Sequence, residues 1–302
     1  MKRLFIVGVG RSGTSLLQSM IGANSNVSMS PETGFIRRYL ISSIFNRANI
    51  KVSSEELNND THLKRLNIDF KEYGEVIDVY PFFQELSKTS GFRYLGEKDP
   101  KLIESLSALN ELFPDCRVLH IYRDPRDVYL SKKKASWSSE QSVFRKLLAS
   151  SAQIKLLNRF KNSTNKSEIF EIKYEDLISN PKKVLNSVCH YLQVGFEDKM
   201  LDFQDVSKLL VAKDELSWKK ETFGPLLSSN SRKWVNELSD EEVYLVQLCN
   251  REIFKLGKYE FSNVKLPFFK RIILRAKWIA IEILSSFYAL LYSSTVKGVN
   301  KR

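Results

Sequence analysis

The stretch LFIVGVGRSGTSLLQSM, residues 4 to 20, decides the fold class of this chain. Its first four residues are apolar, as in a buried parallel strand, and an apolar pattern with helical spacing begins at Leu16. Between them, Gly8 and Gly13 frame a loop in which backbone N–H groups and a helix N-terminus point at an anion. The stretch therefore predicts a strand, a phosphate-binding loop and a helix; the alternative is an ordinary glycine turn.

A second unit of the same kind begins at Arg117. Val118, Leu119, Ile121 and Tyr122 predict a strand, and Pro125 suits the first turn of a helix that runs to about Lys134. Another strand end is predicted at 95–100, and a further strand at 169–172 precedes a helix after Pro181. This alternation predicts an α/β fold of the three-layer, P-loop-like type, with a central parallel sheet flanked by helices.

Two segments differ in composition from this pattern. Residues 39–90 mix polar and scattered apolar residues, which predicts a helical insertion or lid over the sheet of a domain at 1–262. Residues 263–302 are basic and apolar, which predicts an amphipathic helical tail. Its stretch 271–292 either packs on the core or on a second subunit of a homodimer, or makes peripheral contact with an acidic membrane surface. Glu282 interrupts the apolar run and argues against a membrane span.

The composition narrows the classes of partner and site. The chain has 302 residues, 43% of them hydrophobic, so it can bury a core and is neither disordered nor a small disulfide-stapled domain. Lys and Arg number 47 against 35 Asp and Glu, a net charge of +12 that favours anionic partners. The three cysteines are far from one another and form no CxxC pair, and the three histidines are likewise far apart, so no metal site is expected. No aromatic-basic motif of nucleic-acid binding proteins occurs, so no nucleic-acid partner is expected.

The phosphate loop carries an arginine in place of the usual lysine. A P-loop kinase needs lysine directly after the second glycine, where this chain has Thr14, and the cation stands instead at Arg11. Arg123 and Ser131 follow the strand of the second unit and converge on the same sheet edge, so they suit a second anion. The alternative for Arg123 is a structural ion pair with Asp124. One ligand with two separated phosphates would occupy both loops.

Four motifs occur in an order and spacing that resemble a known family. They are Gly8 to Ser15, Tyr122 to Asp127 with Ser131, Tyr174 to Leu177, and Ser231 to Trp234. From residue 3 to about 260 the chain resembles sulfotransferases that use 3′-phosphoadenosine-5′-phosphosulfate (PAPS) as co-substrate, most closely the tyrosylprotein branch and its bacterial relatives. The resemblance implies that the 5′-phosphosulfate is held by Arg11, Ser12, Gly13, Thr14 and Ser15, and the 3′-phosphate by Arg123 and Ser131.

Sulfuryl transfer to a hydroxyl requires a base for the acceptor proton and a cation for the leaving group. Glu32 stands where the similar branch carries its glutamate base, although a glutamate there also suits a helix dipole. Lys98 matches the lysine of a Lys-Asp-Pro segment, with a solvated lysine as the alternative, and Arg11 is the third catalytic candidate. Further nucleotide contacts, weaker in their match, are expected from Ser231, Lys233 and Tyr174, the last of which could be a packing residue instead.

One departure from the tyrosylprotein branch concerns the acceptor. Gly34 stands where those enzymes carry an arginine, so an acidic peptide is not expected, and the prediction is a hydroxyl of a glycan, glycolipid or other small acceptor. Residues 39–90 and the loop around 218–227 are expected to select it. Neither a signal peptide nor a disulfide pattern is visible, so the expected location is the cytoplasm, at the inner face of the membrane. The alternative function is a P-loop kinase-like phosphotransferase.

Overall fold

The fold is built on a five-stranded parallel sheet. The computed structural model describes residues 2–41, 51–79, 82, 91–135, 138, 140–163, 168–211, 223–224 and 230–299, with side chains to 292. The strands are β1 (Lys2–Val7), β2 (Val27–Met29), β3 (Lys51–Ser53), β4 (Val76–Asp78), β5 (Tyr94–Lys98), β6 (Arg117–Tyr122) and β7 (Ile169–Lys173). The order in the large sheet is β2-β5-β1-β6-β7, and every pairing in it is parallel.

Helices connect these strands and cover both faces of the sheet. The α-helices are α1 (Thr14–Gly22), α2 (Ser54–Asn59), α3 (Leu106–Leu112), α4 (Pro125–Lys134), α5 (Val143–Lys161), α6 (Tyr174–Ser179), α7 (Pro181–Leu192), α8 (Gln204–Leu210), α9 (Trp234–Glu237), α10 (Asp240–Cys249), α11 (Arg251–Gly257) and α12 (Phe268–Val299). Shorter helical turns lie at Ile36–Ile41, Leu63–Leu66, Phe70–Tyr73, Pro100–Glu104 and Asp198–Met200.

Alternate residues of the central strand β1 enter two separate cores. Phe5 and Val7 belong to a cluster that includes buried residues of α5, whereas Leu4 and Ile6 belong to a cluster with α1 and α7. This alternation follows from the two-residue period of a strand, and a strand covered on both faces requires an apolar residue at every position. The three-layer α/β fold predicted from the sequence is therefore confirmed.

The sequence predicts that region 39–90 is helical, but the structure shows that it also contains two strands. Within its described parts, β3 and β4 pair antiparallel, with Val52 opposite Ile77, and α2 and two helical turns lie between them. Each strand has only three residues and one buried apolar side chain, so the pair leaves almost no periodic signal. Residues 42–50, 80–81 and 83–90 lie outside the described residues, as does most of the 218–227 loop predicted to select the acceptor.

The basic tail forms the 32-residue helix α12, which packs along α5. Lys155 donates to the Glu282 carboxylate at 2.6 Å, and Arg159 donates to the Ala289 carbonyl at 2.8 Å. In both pairs the residue numbers rise together, so the two helices run in the same direction. In the part of the chain that the structure describes, no helix is long and apolar enough to span a bilayer.

A buried carboxyl on β5 makes stability depend on pH. Burial, reinforced by the nearby charges of Asp99 and Glu32, raises the pKa of Glu97 to about 8. The folded chain therefore keeps a proton there that the unfolded chain loses near pH 4.5, so the free energy of unfolding falls as pH rises from about 4.5 to 8.

Glu97→Gln is expected to remove this pH dependence. The amide matches the protonated carboxyl in shape and carries no charge, so the variant should match the wild type near pH 5 and exceed it by roughly 2–4 kcal/mol at pH 8.5. Urea unfolding at both pH values measures the difference. If the free energies of unfolding of the two proteins differed by the same amount at both pH values, Glu97 would not be the source of the pH dependence.

Candidate active site

A cavity of about 540 Å³ opens at the carboxyl edge of the parallel sheet. Segments that follow all five strands reach it, at the edge where ligands bind in open α/β folds. Its lining includes Gly10, Arg11, Gly13, Thr14, Ser15, Glu32, Lys98, Arg123 and Tyr174. The cavity therefore brings together eight of the twelve residues that the sequence singles out: Arg11, Gly13, Thr14, Ser15, Glu32, Lys98, Arg123 and Tyr174.

The phosphate loop between β1 and α1 depends on its glycines for close packing. A Cβ on Gly13 would stand 2.4 Å from the Tyr174 ring, and the residue has φ +98°, so only glycine fits there. Gly13 also occupies the N-cap of α1 and offers no capping side chain, so the first N–H groups of the helix remain available to an anion. Arg11 takes a left-handed conformation with φ 79°, which is costly for a residue other than glycine.

Two serines of the prediction lie beside the cavity rather than in its described lining. The Ser131 hydroxyl accepts a hydrogen bond from Arg11 Nε at 2.9 Å, so it joins the second loop to the first. Ser12 is buried and lines a smaller cavity that it shares with Arg123. Both serines therefore lie where the two loops meet.

Arg123 is buried and directed toward the cavity by two neighbours. It donates to the Asn230 carbonyl at 2.8 Å, and its guanidinium carbon lies 4.4 Å from the centre of the Tyr174 ring. Its Nε is buried and has no hydrogen-bond partner among the described residues. Asp124, considered from the sequence as an ion-pair partner of Arg123, instead binds Arg126 at 2.7 Å. The buried Nε is thus a donor that a ligand can satisfy.

Glu32 and Lys98 meet at the mouth of the phosphate loop. Lys98 is the last residue of β5 and is 1% exposed, and its ammonium forms an ion pair with the Glu32 carboxylate. Arg65 donates to the Glu32 carbonyl at 3.0 Å and Gln18 to the Ser30 carbonyl at 2.7 Å, so the segment that carries the carboxylate is held on two sides. The geometry places a potential base and a buried cation at one point of the cavity.

The late motif contributes through a residue that the sequence analysis missed. Asn230 is buried, accepts from Arg123 and donates to the Tyr174 hydroxyl at 2.8 Å, and no local pattern predicts this role. Ser231 and Lys233 are not among the described residues that line the cavity. The Asp127 carboxylate holds this segment by accepting the Arg232 N–H at 2.7 Å.

The opposite wall of the cavity is cationic, which the sequence analysis also missed. Lys132 donates to the Ser150 hydroxyl at 2.8 Å, and burial, with Lys146 as a second cause, lowers the pKa of Lys132 to about 8. Lys146 and Gln153 follow one face of α5 into the cavity. Lys146, Ser150 and Gln153 are spaced four and three residues apart, so they share one face of the helix. This spacing could have been used to predict the polar wall of the cavity from the sequence.

The space around Gly34 is occupied by arginines from the following turn. A Cβ on Gly34 would stand 3.1 Å from the Arg37 guanidinium and 3.4 Å from that of Arg38. Arg37 pairs with Asp99 at 2.8 Å, and Arg38 pairs with Asp60. The position that lacks an arginine in sequence thus has two guanidinium groups beside it in space.

Metal ligands do not cluster in the described part of the chain: no group of three or more His, Cys, Asp or Glu residues is placed to hold an ion. The three cysteines are buried, and they form no disulfide. The described cavity presents the Glu32 carboxylate, several cationic side chains and the first N–H groups of α1.

Comparison with known proteins connects this geometry to relatives. Protein-tyrosine sulfotransferase A of Caenorhabditis elegans is 29% identical over 219 residues, which cover 70% of this chain and 54% of that protein. The chain thus spans about half the length of this relative. Two solved structures share the fold. The sulfotransferase domain of the Synechococcus PCC 7002 olefin synthase has a TM-score of 0.61 and 17% identity, and the match covers 87% of this chain and 96% of that one. The sulfotransferase domain from the curacin biosynthetic pathway has a TM-score of 0.62 and 19% identity, and the match covers 86% of this chain and 99% of that one.

A family-wide comparison covers the same region as the site. The model of the sulfotransferase family matches residues 3–198, which include the phosphate loop, Glu32, Lys98, Arg123 and Tyr174. Because this match extends over well more than half of the sequence and its P-loop-like α/β architecture agrees, the chain belongs to the sulfotransferase family.

Proposed function

We propose that this protein transfers the sulfuryl group of PAPS to a hydroxyl of its acceptor, with Glu32 as the general base. One observation carries the proposal: the Glu32 carboxylate and the buried Lys98 ammonium are ion-paired in the same cavity as the phosphate loop. A base next to a cation is what deprotonation of an acceptor and stabilisation of a leaving group require together.

The site suits a donor with two separated phosphates. A Cβ on Gly10 would meet nothing within 4 Å, so the loop is open on that side, and the first N–H groups of α1 face the anion. On the second loop, the partnerless Nε of Arg123 and the ring of Tyr174 offer a charged donor beside an aromatic surface. These features support PAPS, whose 5′-phosphosulfate and 3′-phosphate would be held by the first and second loops.

The proposed reaction is an in-line displacement. Glu32 accepts the proton of the acceptor hydroxyl as that oxygen forms its bond to sulfur, and the bond from sulfur to the oxygen of the 5′-phosphate breaks. Lys98 and Arg11 stabilise the negative charge that develops on this leaving oxygen. A kinase-like phosphotransfer is disfavoured because Thr14 occupies the place where the lysine of a nucleotide kinase is needed.

For the acceptor we propose a hydroxyl of a glycan or glycolipid, supported by Gly34 where the tyrosylprotein branch has an arginine. A tyrosyl acceptor is the second candidate, favoured by the names of the relatives and by the guanidinium groups of Arg37 and Arg38 beside Gly34. Transfer of radioactive sulfate from PAPS to lipid-extractable material, to soluble glycans or to an acidic tyrosine peptide distinguishes these candidates.

We also propose a reducing compartment, the cytoplasm, as the site of action, since the three cysteines are buried and form no disulfide. Cell fractionation tests this: recovery of the protein from an oxidising compartment would overturn the proposal.

Calorimetric titration with adenosine 3′,5′-bisphosphate in the absence of metal tests the donor site. We expect binding in the micromolar range or tighter without Mg²⁺, and weaker binding of ATP with or without Mg²⁺. Preference for ATP with Mg²⁺ would overturn the sulfotransferase mechanism proposed here and favour a phosphotransferase.

A further inference from the structure

The helix α12 has two faces, and the described residues of the domain bury only one of them. Leu274, Ile281, Ser285 and Ala289 are buried, and they recur at intervals of four and seven residues along the side that packs on α5. Glu282 also turns toward α5, where it pairs with Lys155. These buried contacts attach the helix to the domain, and Glu282, the one acidic residue of the helix, takes part in them.

The outward face of α12 is apolar along most of its length. Ile272, Ile279, Ile283 and Phe287 are each at least half exposed, with Ile283 at 62%. At 1.5 Å per residue, the stretch from Phe268 to Phe287 measures about 28 Å. Soluble monomers rarely leave a continuous apolar stripe of this size in water, so such a stripe marks an interaction surface.

Within α12 itself, the charged residues beside the outward face are cations. Arg271, Arg275 and Lys277 are exposed near the beginning of α12, and Glu282 is the sole acidic residue in its sequence. Long cationic side chains beside an apolar helical stripe place their charges at lipid headgroups while the stripe enters the acyl boundary. We propose that the outward face of α12 binds in the plane of a membrane surface that contains anionic lipid.

A second copy of the chain is a poorer occupant of this surface. In a two-fold contact the same patch meets itself, so the cations at the start of one helix would find only cations and apolar side chains on the other. An anionic lipid surface supplies the missing negative charge instead. Because no described helix is suited to crossing a bilayer, the expected mode is adsorption rather than insertion across the membrane.

The helix α5 connects this surface to the cavity. Lys146 and Gln153 face the cavity, whereas Lys155 and Arg159 of the same helix bind α12. Binding of α12 to a membrane would therefore place two helices, α12 and α5, with a combined thickness of roughly 20 Å, between the lipid surface and the cavity. This inference extends beyond the proposed function and does not depend on turnover.

Vesicle co-sedimentation of the full chain tests the proposal. We expect the protein to pellet with vesicles of phosphatidylcholine and phosphatidylglycerol in a ratio of about three to one, and far less with phosphatidylcholine alone. The double variant Ile279→Ser, Ile283→Ser should lower partitioning about tenfold or more, because it removes two exposed apolar side chains without touching the inward face. Arg271→Gln with Lys277→Gln should abolish the preference for anionic vesicles.

Matched controls keep the outcome interpretable. Leu209→Ser removes an 80% exposed apolar side chain from α8 and should leave partitioning unchanged. Light scattering after gel filtration reports the oligomeric state of each variant, and circular dichroism reports folding. The membrane proposal would be overturned if the wild-type protein failed to pellet with anionic vesicles. It would equally be overturned if the wild-type protein were a dimer that binds no vesicles and that the Ile279→Ser, Ile283→Ser double variant converts to a monomer.

Discussion

Glu32→Gln is expected to lower kcat for sulfuryl transfer by about a thousandfold, within the range that general bases contribute. The amide keeps the shape of the side chain but cannot accept the acceptor proton. The affinity for adenosine 3′,5′-bisphosphate should change less than about threefold, because the nucleotide is assigned to the two loops and not to Glu32. Single-turnover assays with radioactive PAPS and calorimetry measure the two quantities separately.

The control for this variant is Glu55→Gln, which makes the same chemical change on the exposed first turn of α2. We expect it to be fully active. Wild-type turnover by Glu32→Gln would show that another group removes the proton.

Arg123→Gln is expected to weaken binding of adenosine 3′,5′-bisphosphate by about a hundredfold or more. A buried arginine that binds a phosphate through charge-assisted hydrogen bonds contributes on the order of 3 kcal/mol, and the glutamine cannot replace the charge or the fork of donors. Arg123→Lys should recover only part of the affinity, because an ammonium carries the charge without the planar geometry. Isothermal titration measures both constants.

Arg117→Gln provides the matched control for Arg123, since Arg117 lies at the opposite end of the same strand and pairs with Glu168. Its nucleotide affinity should equal that of the wild type. Thermal unfolding of Arg123→Gln is needed beside the titration, because Arg123 also holds the Asn230 segment. A folded Arg123→Gln variant with unchanged affinity would remove the second loop from the nucleotide site.

The sequence was informative where local patterns and long-range packing agree. β1 and β6 are predicted from near-continuous apolar runs because both their faces are covered, and α4 from Pro125 at its first turn. Most of the predicted site lies in one cavity for a related reason: parallel strands end at one edge, so the residues that follow them meet there.

The features that the sequence did not predict depend on contacts between distant residues. Asn230 acquires its position from Arg123 and Tyr174, more than fifty residues away, and the three-residue strands β3 and β4 become recognisable only when they pair. Lys132 looks like one of three solvated lysines in sequence, yet it is buried against Ser150. Such residues carry no periodic or neighbour-based signal because their environment is created by tertiary packing.

The ion pair between Lys98 and Glu32 has a consequence for the order of events in a catalytic cycle. While the buried ammonium engages the carboxylate, an acceptor hydroxyl that arrives first must compete with Lys98 for the base. In the proposed mechanism, a bound phosphosulfate would give Lys98 a second anion to contact, and this would weaken its ion pair with Glu32. We therefore expect an ordered kinetic scheme in which the donor enters before the acceptor, so that the base becomes competent only when there is a group to transfer.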